Sequence, residues 1–298
     1  MDQRTALFQS HRKRLMGIAW RMLGSATEAE DVLQDAWLRW NESDTESLRS
    51  AEAWLVTVVT RLSIDRLRAA RTEREHYQGF WLPEPLVEVS PDSPQQMLEQ
   101  ADDVSVAFLM VLERLAPEER AAFLLRQVFD ADYAELAQAL GKSEAACRQL
   151  VHRAGERLKE QRPRFSVSRE THLRLLRAFA DAAGRGDLAS MRDLLAEDAE
   201  LVSDGGGKVK AFTQVLRGAQ RLAQLYFAVA RRHAPVMRME VVDVNGVPGL
   251  MRFIDGELES IQSFETNGER IVSIHAQRNP DKLARAMAHF QQAPSQNR

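Results

Sequence analysis

The stretch "DYAELAQALGKSEAACRQLVHRAGERL", Asp132 to Leu158, decides how the chain is to be read. Ala137 and Gly141 stand four apart, with Leu136 and Leu140 apolar between two helical runs. Ser143 is placed to cap the second run, through which Cys147, Leu150 or Val151, Ala154 and Leu158 form a stripe to be buried. That is helix-turn-helix spacing. The stripe leaves Arg148, Gln149, His152 and Arg153 on the opposite side, donors suited to base edges and phosphates in a major groove. The alternative is an ordinary helical hairpin with a solvated charged face. Cys147 reads as a small core residue.

Working outward, Thr5 to about Glu75 is helical throughout. Leu15, Ile18, Ala19 and Met22 recur at three to four residues, as do Val32, Leu33, Ala36 and Trp40. Gly24 closes one helix, Ser25 or Thr27 caps the next, and Glu28, Glu30 and Asp31 suit the positive end of its dipole. This second helix presents Glu30, Asp31, Gln34, Asp35 and Leu38 on one broad side. A third helix from about Ala51 is basic in its second half, where Arg61, Arg66, Arg68, Arg71 and Arg74 outweigh Asp65 and Glu73. Taken singly, either charged face is what any solvated helix shows. Their order is more informative: acidic helix, basic helix, acidic tether, helix-turn-helix.

A chain of 298 residues suits two or three domains, and 44% hydrophobic with 28% charged residues is the composition of a soluble globular protein. No apolar run approaches the roughly 20 residues needed to span a bilayer. With a single cysteine and no apolar run near the N-terminus, a reducing, cytoplasmic setting is expected. A net charge of −3 argues against coating nucleic acid unaided, so any such binding must come from patches.

The segment "QGFWLPEPLVEVSPDSP", Gln78 to Pro94, interrupts the helices with four prolines that enforce an extended path, yet it carries Trp81, Leu82 and Leu86. Acidic residues, among them Glu84, Glu88, Asp92, Glu99, Asp102, Asp103 and Glu113, run on to residue 113 without a basic one. From about Arg169 the pattern becomes helix plus strand. Asn245-Gly246, Asp255-Gly256 and Asn267-Gly268 each sit between strand-like runs, which predicts a four-stranded antiparallel meander with helices on one face. "SDGGGKVKAF" lacks the spacing of a nucleotide-binding loop and reads as a tight turn after a strand.

"GSATEAEDVLQDAWLRW", "AEAWLVTVVTRLSIDRLRAAR" and the helix-turn-helix resemble regions two and four of the extracytoplasmic-function sigma factors of bacterial RNA polymerase. "WLPEPL", "DGGGKV" and "NPDKL" resemble marks of the subgroup with a fused SnoaL-like C-terminal domain. The resemblance implies a multidomain protein: two all-α sigma domains, a region 2 helical bundle at 1–75 and a region 4 helix-turn-helix domain at 105–165, joined by an acidic linker at 76–104. An α+β SnoaL-like, cone-shaped domain follows at 166–298.

It further implies that Glu30, Asp31, Gln34, Asp35 and Leu38 dock on core RNA polymerase. Trp54, Arg61, Asp65, Arg68 and Arg71 would then meet the downstream promoter element, and Ser143, Arg148, Gln149, His152 and Arg153 the upstream one. Bidentate arginine contacts to guanine would supply roughly 1–3 kcal/mol of discrimination each. The family often has Asn where Arg61 stands. The linker residues Trp81, Leu82, Pro83, Glu84, Pro85 and Leu86 are expected to meet two C-terminal segments. One is the turn of Asp204, Gly205, Gly206, Gly207, Lys208 and Val209; the other is Asn279, Pro280, Asp281, Lys282 and Leu283. That contact would regulate the chain in place of a separate anti-sigma protein.

No metal, cofactor, membrane or catalytic residue is implied. The acidic tether would mimic RNA in the polymerase exit path, or serve only as a solubilising linker. Two rival readings remain: a stand-alone helix-turn-helix regulator, and an enzyme in the SnoaL-like domain for which Asp204, His233 and His275 are the acid and base candidates.

Overall fold

The computed structural model describes residues 3–44, 48, 50–75, 77–88, 105–159 and 167–292. They group into two units, Met1–His76 with Leu109–Arg162, and Tyr77–Phe108 with Pro163–Arg298.

The first unit is helical. Helix α1 (Gln3–Leu23) stops at Gly24, whose N–H donates to the Trp20 carbonyl, and Ser25 caps α2 (Ala26–Glu42) by accepting from the Glu28 N–H. Both apolar stripes read from the sequence are buried, and Trp40 anchors α2 by donating its indole N–H to the Arg4 carbonyl at 3.1 Å. Helix α3 (Ala51–Glu75) adds Leu55, Val59, Leu62, Ile64 and Leu67 to the core.

After α4 (Val106–Leu112), Pro117 opens α5 (Pro117–Gln127), where its missing N–H costs nothing. Asp132 and Glu135 form a reciprocal capping box at the start of α6 (Tyr133–Leu140), with both bonds at 2.8 Å. Gly141 ends α6 at φ 64, a left-handed position that favours glycine. The Ser143 hydroxyl then accepts from the Ala146 N–H at the head of α7 (Glu144–Lys159). Leu150 and Val151 both join the buried stripe, because adjacent positions flank one apolar face.

The second unit is α+β, as expected, with a larger sheet than the hairpin turns announce. Seven strands run in the order β1-β4-β5-β6-β7-β2-β3. Strands β4 (Met237–Val244), β5 (Val247–Ile254), β6 (Glu257–Thr266) and β7 (Ile271–Gln277) make the antiparallel meander. Asn245 and Asp255 both take φ 53 at their turns. Strand β2 (Leu195–Asp204) extends the sheet by pairing in parallel with β7, and β3 (Leu216–Arg217) follows it. At the opposite edge, linker residues Val87–Glu88 form β1 on β4.

Helices α8 (Arg169–Arg185), α9 (Leu188–Leu194) and α10 (Ala219–His233) cover one face, where Phe179 meets Tyr226 and Phe264 edge-on at 4.9 and 5.7 Å. Helix α11 (Pro280–Gln292) closes the fold. Of the acidic tether, Asp92, Glu99, Asp102 and Asp103 lie outside the described residues. Among the described residues no helix is long and apolar enough to cross a membrane.

Candidate functional site

On α2, Glu30, Asp31, Gln34 and Leu38 are exposed and Asp35 is half-buried. Leu38, 54% exposed, gives this acidic side an apolar centre. Asp31 and Asp35 are not bare: the Arg66 guanidinium of α3 donates to both at 3.2 Å. Their spacing of one helical turn matches the reach of a single arginine fork.

The α3 candidates divide. Trp54 packs on Trp40 with centroids 5.5 Å apart. Arg61 donates to the Ala139 and Gln138 carbonyls, and Arg68 bridges Asp65 and Glu118. The Arg71 side chain lies outside the described residues.

On α7, Ser143 serves as a cap, and Arg148, Gln149, His152 and Arg153 are exposed along one side. Arg148 lies over the Tyr133 ring at 4.6 Å and donates to Glu144 at 2.8 Å, while Arg126 lies on the same ring at 5.3 Å. Such stacking holds a guanidinium in place ahead of any ligand. Arg153 and Arg157 both face Glu119, a carboxylate 6% exposed. Tyr133, Arg126 and Glu119 escaped the sequence reading. The spacing of Tyr133 from Arg148 falls across a turn whose geometry the periodicity does not encode.

In the second unit, linker and C-terminal segments converge on Asp204. Leu201 and Ile274 belong to the core under the helices, so strand alternation sends Asp204 and Gln277 to the sheet's other face. There the Asp204 carboxylate, wholly buried, collects five donors. Tyr77 Oη (2.6 Å) and Gly206 N (2.9 Å) donate to Oδ1; Leu82 N (3.0 Å), Gln277 Nε2 (3.2 Å) and Lys282 Nζ (2.8 Å) donate to Oδ2. Lys282 Nζ also donates to the Leu82 carbonyl at 2.6 Å and lies 4.3 Å from the Trp81 ring centroid. Burial, and then the bond to Asp204, pushes the Tyr77 hydroxyl far above its ordinary range, so it remains a donor.

The linker, the turn after β2 and the start of α11 therefore meet around Asp204. Leu82, Pro83, Pro85 and Leu283 are buried, Trp81, Glu84 and Leu86 are half-buried, and Lys208 pairs with Asp281 beside the turn. The Val209 N–H donates to the Gly205 carbonyl, folding the turn back. A Cβ on Gly206 would fall 2.4 Å from Asn279 Nδ2, which itself donates to Tyr77 Oη at 3.0 Å. Pro280 begins α11 directly after Asn279, whose Oδ1 accepts from the Asp281 N–H. Asn245 completes the strap, accepting from the Leu86 N–H and donating its own N–H to the Leu86 carbonyl. Tyr77, Asn245 and Gln277 were missed, since only the folded sheet brings them to the linker.

The acid and base candidates are not assembled. Asp204 is occupied by the linker contacts. His275 is buried and pushed down to about 4 by that burial, with Ser273 Oγ at 3.3 Å. His233 borders an open cavity of about 390 Å³ with Val229, Ile254, Glu257, Glu259 and Arg278. Between sheet and helices, Phe179, Tyr226 and Phe264 pack with aliphatic side chains in one buried core. Among the described residues no cluster of His, Cys, Asp and Glu is arranged to hold a metal ion.

Comparison with known proteins covers both units. Residues 7–73 match the Sigma-70 region 2 family and residues 105–158 the Sigma-70 region 4 family. The ECF RNA polymerase sigma factor SigJ of Mycobacterium tuberculosis is 37% identical over 230 residues, 76% of this chain and 73% of that protein. The probable ECF sigma factor SigI of the same species is 30% identical over 287 residues, 95% of each chain. The crystal structure of M. tuberculosis SigJ superposes with a TM-score of 0.76 at 31% identity, covering 94% of this chain and 98% of that one.

Proposed function

Because the chain belongs to the extracytoplasmic-function RNA polymerase sigma factors, we propose that it directs promoter-specific initiation under the control of its own C-terminal SnoaL-like domain. The α2 side carrying Asp31, Asp35 and Leu38 docks on core polymerase. Arg61, Arg68 and Arg71 of α3 serve the downstream promoter element, and Arg148, Gln149, His152 and Arg153 of α7 the upstream one. Held by Tyr133, Arg148 is prepared for a bidentate contact. The protein works in the cytoplasm with the polymerase and catalyses nothing itself.

The observation that carries the regulatory part is the buried Asp204 and Lys282 pair closed over the linker at Leu82. A linker of prolines and apolar residues loses little entropy on docking, and its tether supplies an effective concentration of order mM. Docking takes the connector between the two DNA-reading domains out of free motion, the task of an anti-sigma partner performed in cis. Transcription from the cognate promoter, reconstituted with core polymerase, tests this. Chains truncated after Pro280 are expected to change the output severalfold; equal output from several such truncations would remove the regulatory role.

A further inference from the structure

Along α7 the buried stripe of Cys147, Leu150, Val151, Ala154 and Leu158 leaves an exposed arc. At about 100° per residue, Arg148 and Arg157 stand at the two borders of that arc, with His152, Gln149 and Arg153 between them. Each border has a fixture of its own. Arg148 lies on Tyr133; at the other border the fixture is Glu119 of α5, whose side chain is only 6% exposed.

Glu119 divides its two oxygens. Oε2 accepts from the Ala116 N–H at 3.3 Å, at the head of α5, and from Arg157 Nη1. Oε1 faces Arg153 Nε at 3.6 Å, an ion pair rather than a hydrogen bond. Among the described residues neither Nη of Arg153 has a partner, and the side chain is 58% exposed. The atom matters. An end-on bidentate contact with guanine O6 and N7 uses the two Nη groups of an arginine and has no use for Nε. Glu119 therefore faces the one nitrogen that such a contact leaves idle. A bare carboxylate under a DNA-facing helix would repel phosphate, and Arg157 supplies the balancing charge.

We infer that Glu119 is a positioning residue for sequence reading: it holds Arg153 by Nε and leaves the Nη fork open for one guanine, while Arg157 neutralises it. The inference rests on the reading of α7 as the upstream-element helix. A long side chain that is ordered only on binding costs roughly three- to tenfold in affinity. Glu119 removes that cost for the base that fits the held fork. A phosphate, reached from many rotamers, gains nothing from the fixture.

The test uses the full-length chain in two measurements. Reconstituted with core polymerase, the parent, Glu119→Gln, Arg153→Ala and the double variant each select promoters from a library randomised across the upstream element. Glutamine keeps the side-chain length and still accepts from the Ala116 N–H, so the substitution removes the charge and spares the cap. Arg153→Ala is expected to abolish a guanine preference at one position, and Glu119→Gln to weaken it about three- to tenfold at that position alone. The double variant should match Arg153→Ala, because Glu119 acts through that arginine. An undiminished guanine preference in Glu119→Gln, or one weakened equally at every position, would overturn the inference. So would an Arg153→Ala chain that loses no guanine.

The mobility of the Arg153 Nε–H is then read by nitrogen-15 relaxation in the full-length chain without polymerase, its signal assigned by its absence from Arg153→Ala. A rigid Nε–H in the parent and a mobile one in Glu119→Gln are expected; equal mobility in the two would also overturn the inference. Should the parent form no complex with polymerase, the sigma-factor reading falls and the relaxation measurement still decides whether Glu119 holds Arg153. If Glu119→Gln does not fold, the parent decides it: a rigid Nε–H supports the fixture and a mobile one refutes it.

Discussion

Replacing Lys282 with Met removes the one cation that, among the described residues, is bonded to the buried Asp204 carboxylate, while keeping a side chain of similar length. The bonds to Asp204 at 2.8 Å and to the Leu82 carbonyl at 2.6 Å vanish, together with the ammonium against Trp81. Stranding one member of a buried ion pair costs about 3–5 kcal/mol. Four neutral donors stay on Asp204, which puts the loss near the low end, about 3 kcal/mol. That corresponds to roughly a hundredfold rise in the undocked linker population.

The Leu82 and Leu86 N–H groups donate to Asp204 and Asn245, so hydrogen exchange in a peptide spanning 77–88 reads the docking directly. Faster exchange there, with the β4 to β7 meander still protected, is the expected result. Joining Asp204→Asn to Lys282→Met removes the stranded charge and should recover part of the protection. Unchanged exchange in a folded Lys282→Met chain would show that the pair does not hold the linker.

Gly206→Ala forces a side chain into φ 62 and against Asn279, and is expected to cost about 1–3 kcal/mol and loosen the same peptide; a melting temperature and exchange pattern equal to the parent's would contradict that. Tyr133→Leu removes the ring under Arg148 and should weaken binding of an upstream-element duplex severalfold, at about 0.5–1 kcal/mol, with the preference among sequences reduced as well. Stability also depends on pH. Burial holds His172 and His275 down at about 4, from 6.5, so the unfolded chain takes up those protons first and stability falls as pH drops from about 6.5 towards 4. Glu265, pushed up to about 7 by burial, binds its proton first in the folded chain and opposes this trend between about 4.5 and 7. Urea titrations at pH 5 and pH 7 should therefore show a shallower acid loss for His275→Gln and a steeper one for Glu265→Gln; slopes equal to the parent's would refute the assignment.

What could be read in advance was local. Gly141, the Ser143 cap and the Cys147 to Leu158 stripe lie within a few residues of one another, and helical periodicity converts them directly into structure, whereas the Asp132 cap at the head of α6 was not read. Asn-Gly and Asp-Gly pairs likewise announced the hairpins. Pairing between distant segments carries no such signal. The two-residue strand at Val87 exists only because β4 offers an edge more than a hundred residues later, and the parallel union of β2 with β7 has no turn to announce it. Asp204 shows the same limit. The resemblance set it in a turn expected to meet the linker, with acid-base chemistry as the rival reading, but only the fold brings Tyr77, Leu82, Gln277 and Lys282 to its carboxylate as donors. The apolar Trp81 and Leu82, odd in a proline-rich linker, were the clue that something in the chain covers them.

The measurement that bears most directly on the sigma-factor account is binding of the full-length chain to bacterial core RNA polymerase, beside a variant with Asp31→Lys and Asp35→Lys and a control with Arg66→Met. The control breaks the same internal ion pairs yet keeps both carboxylates. Binding by the parent and by Arg66→Met, abolished in the doubly reversed variant, is the predicted result. Equal binding by all three would contradict docking through α2, and no binding by any of them would contradict the role itself.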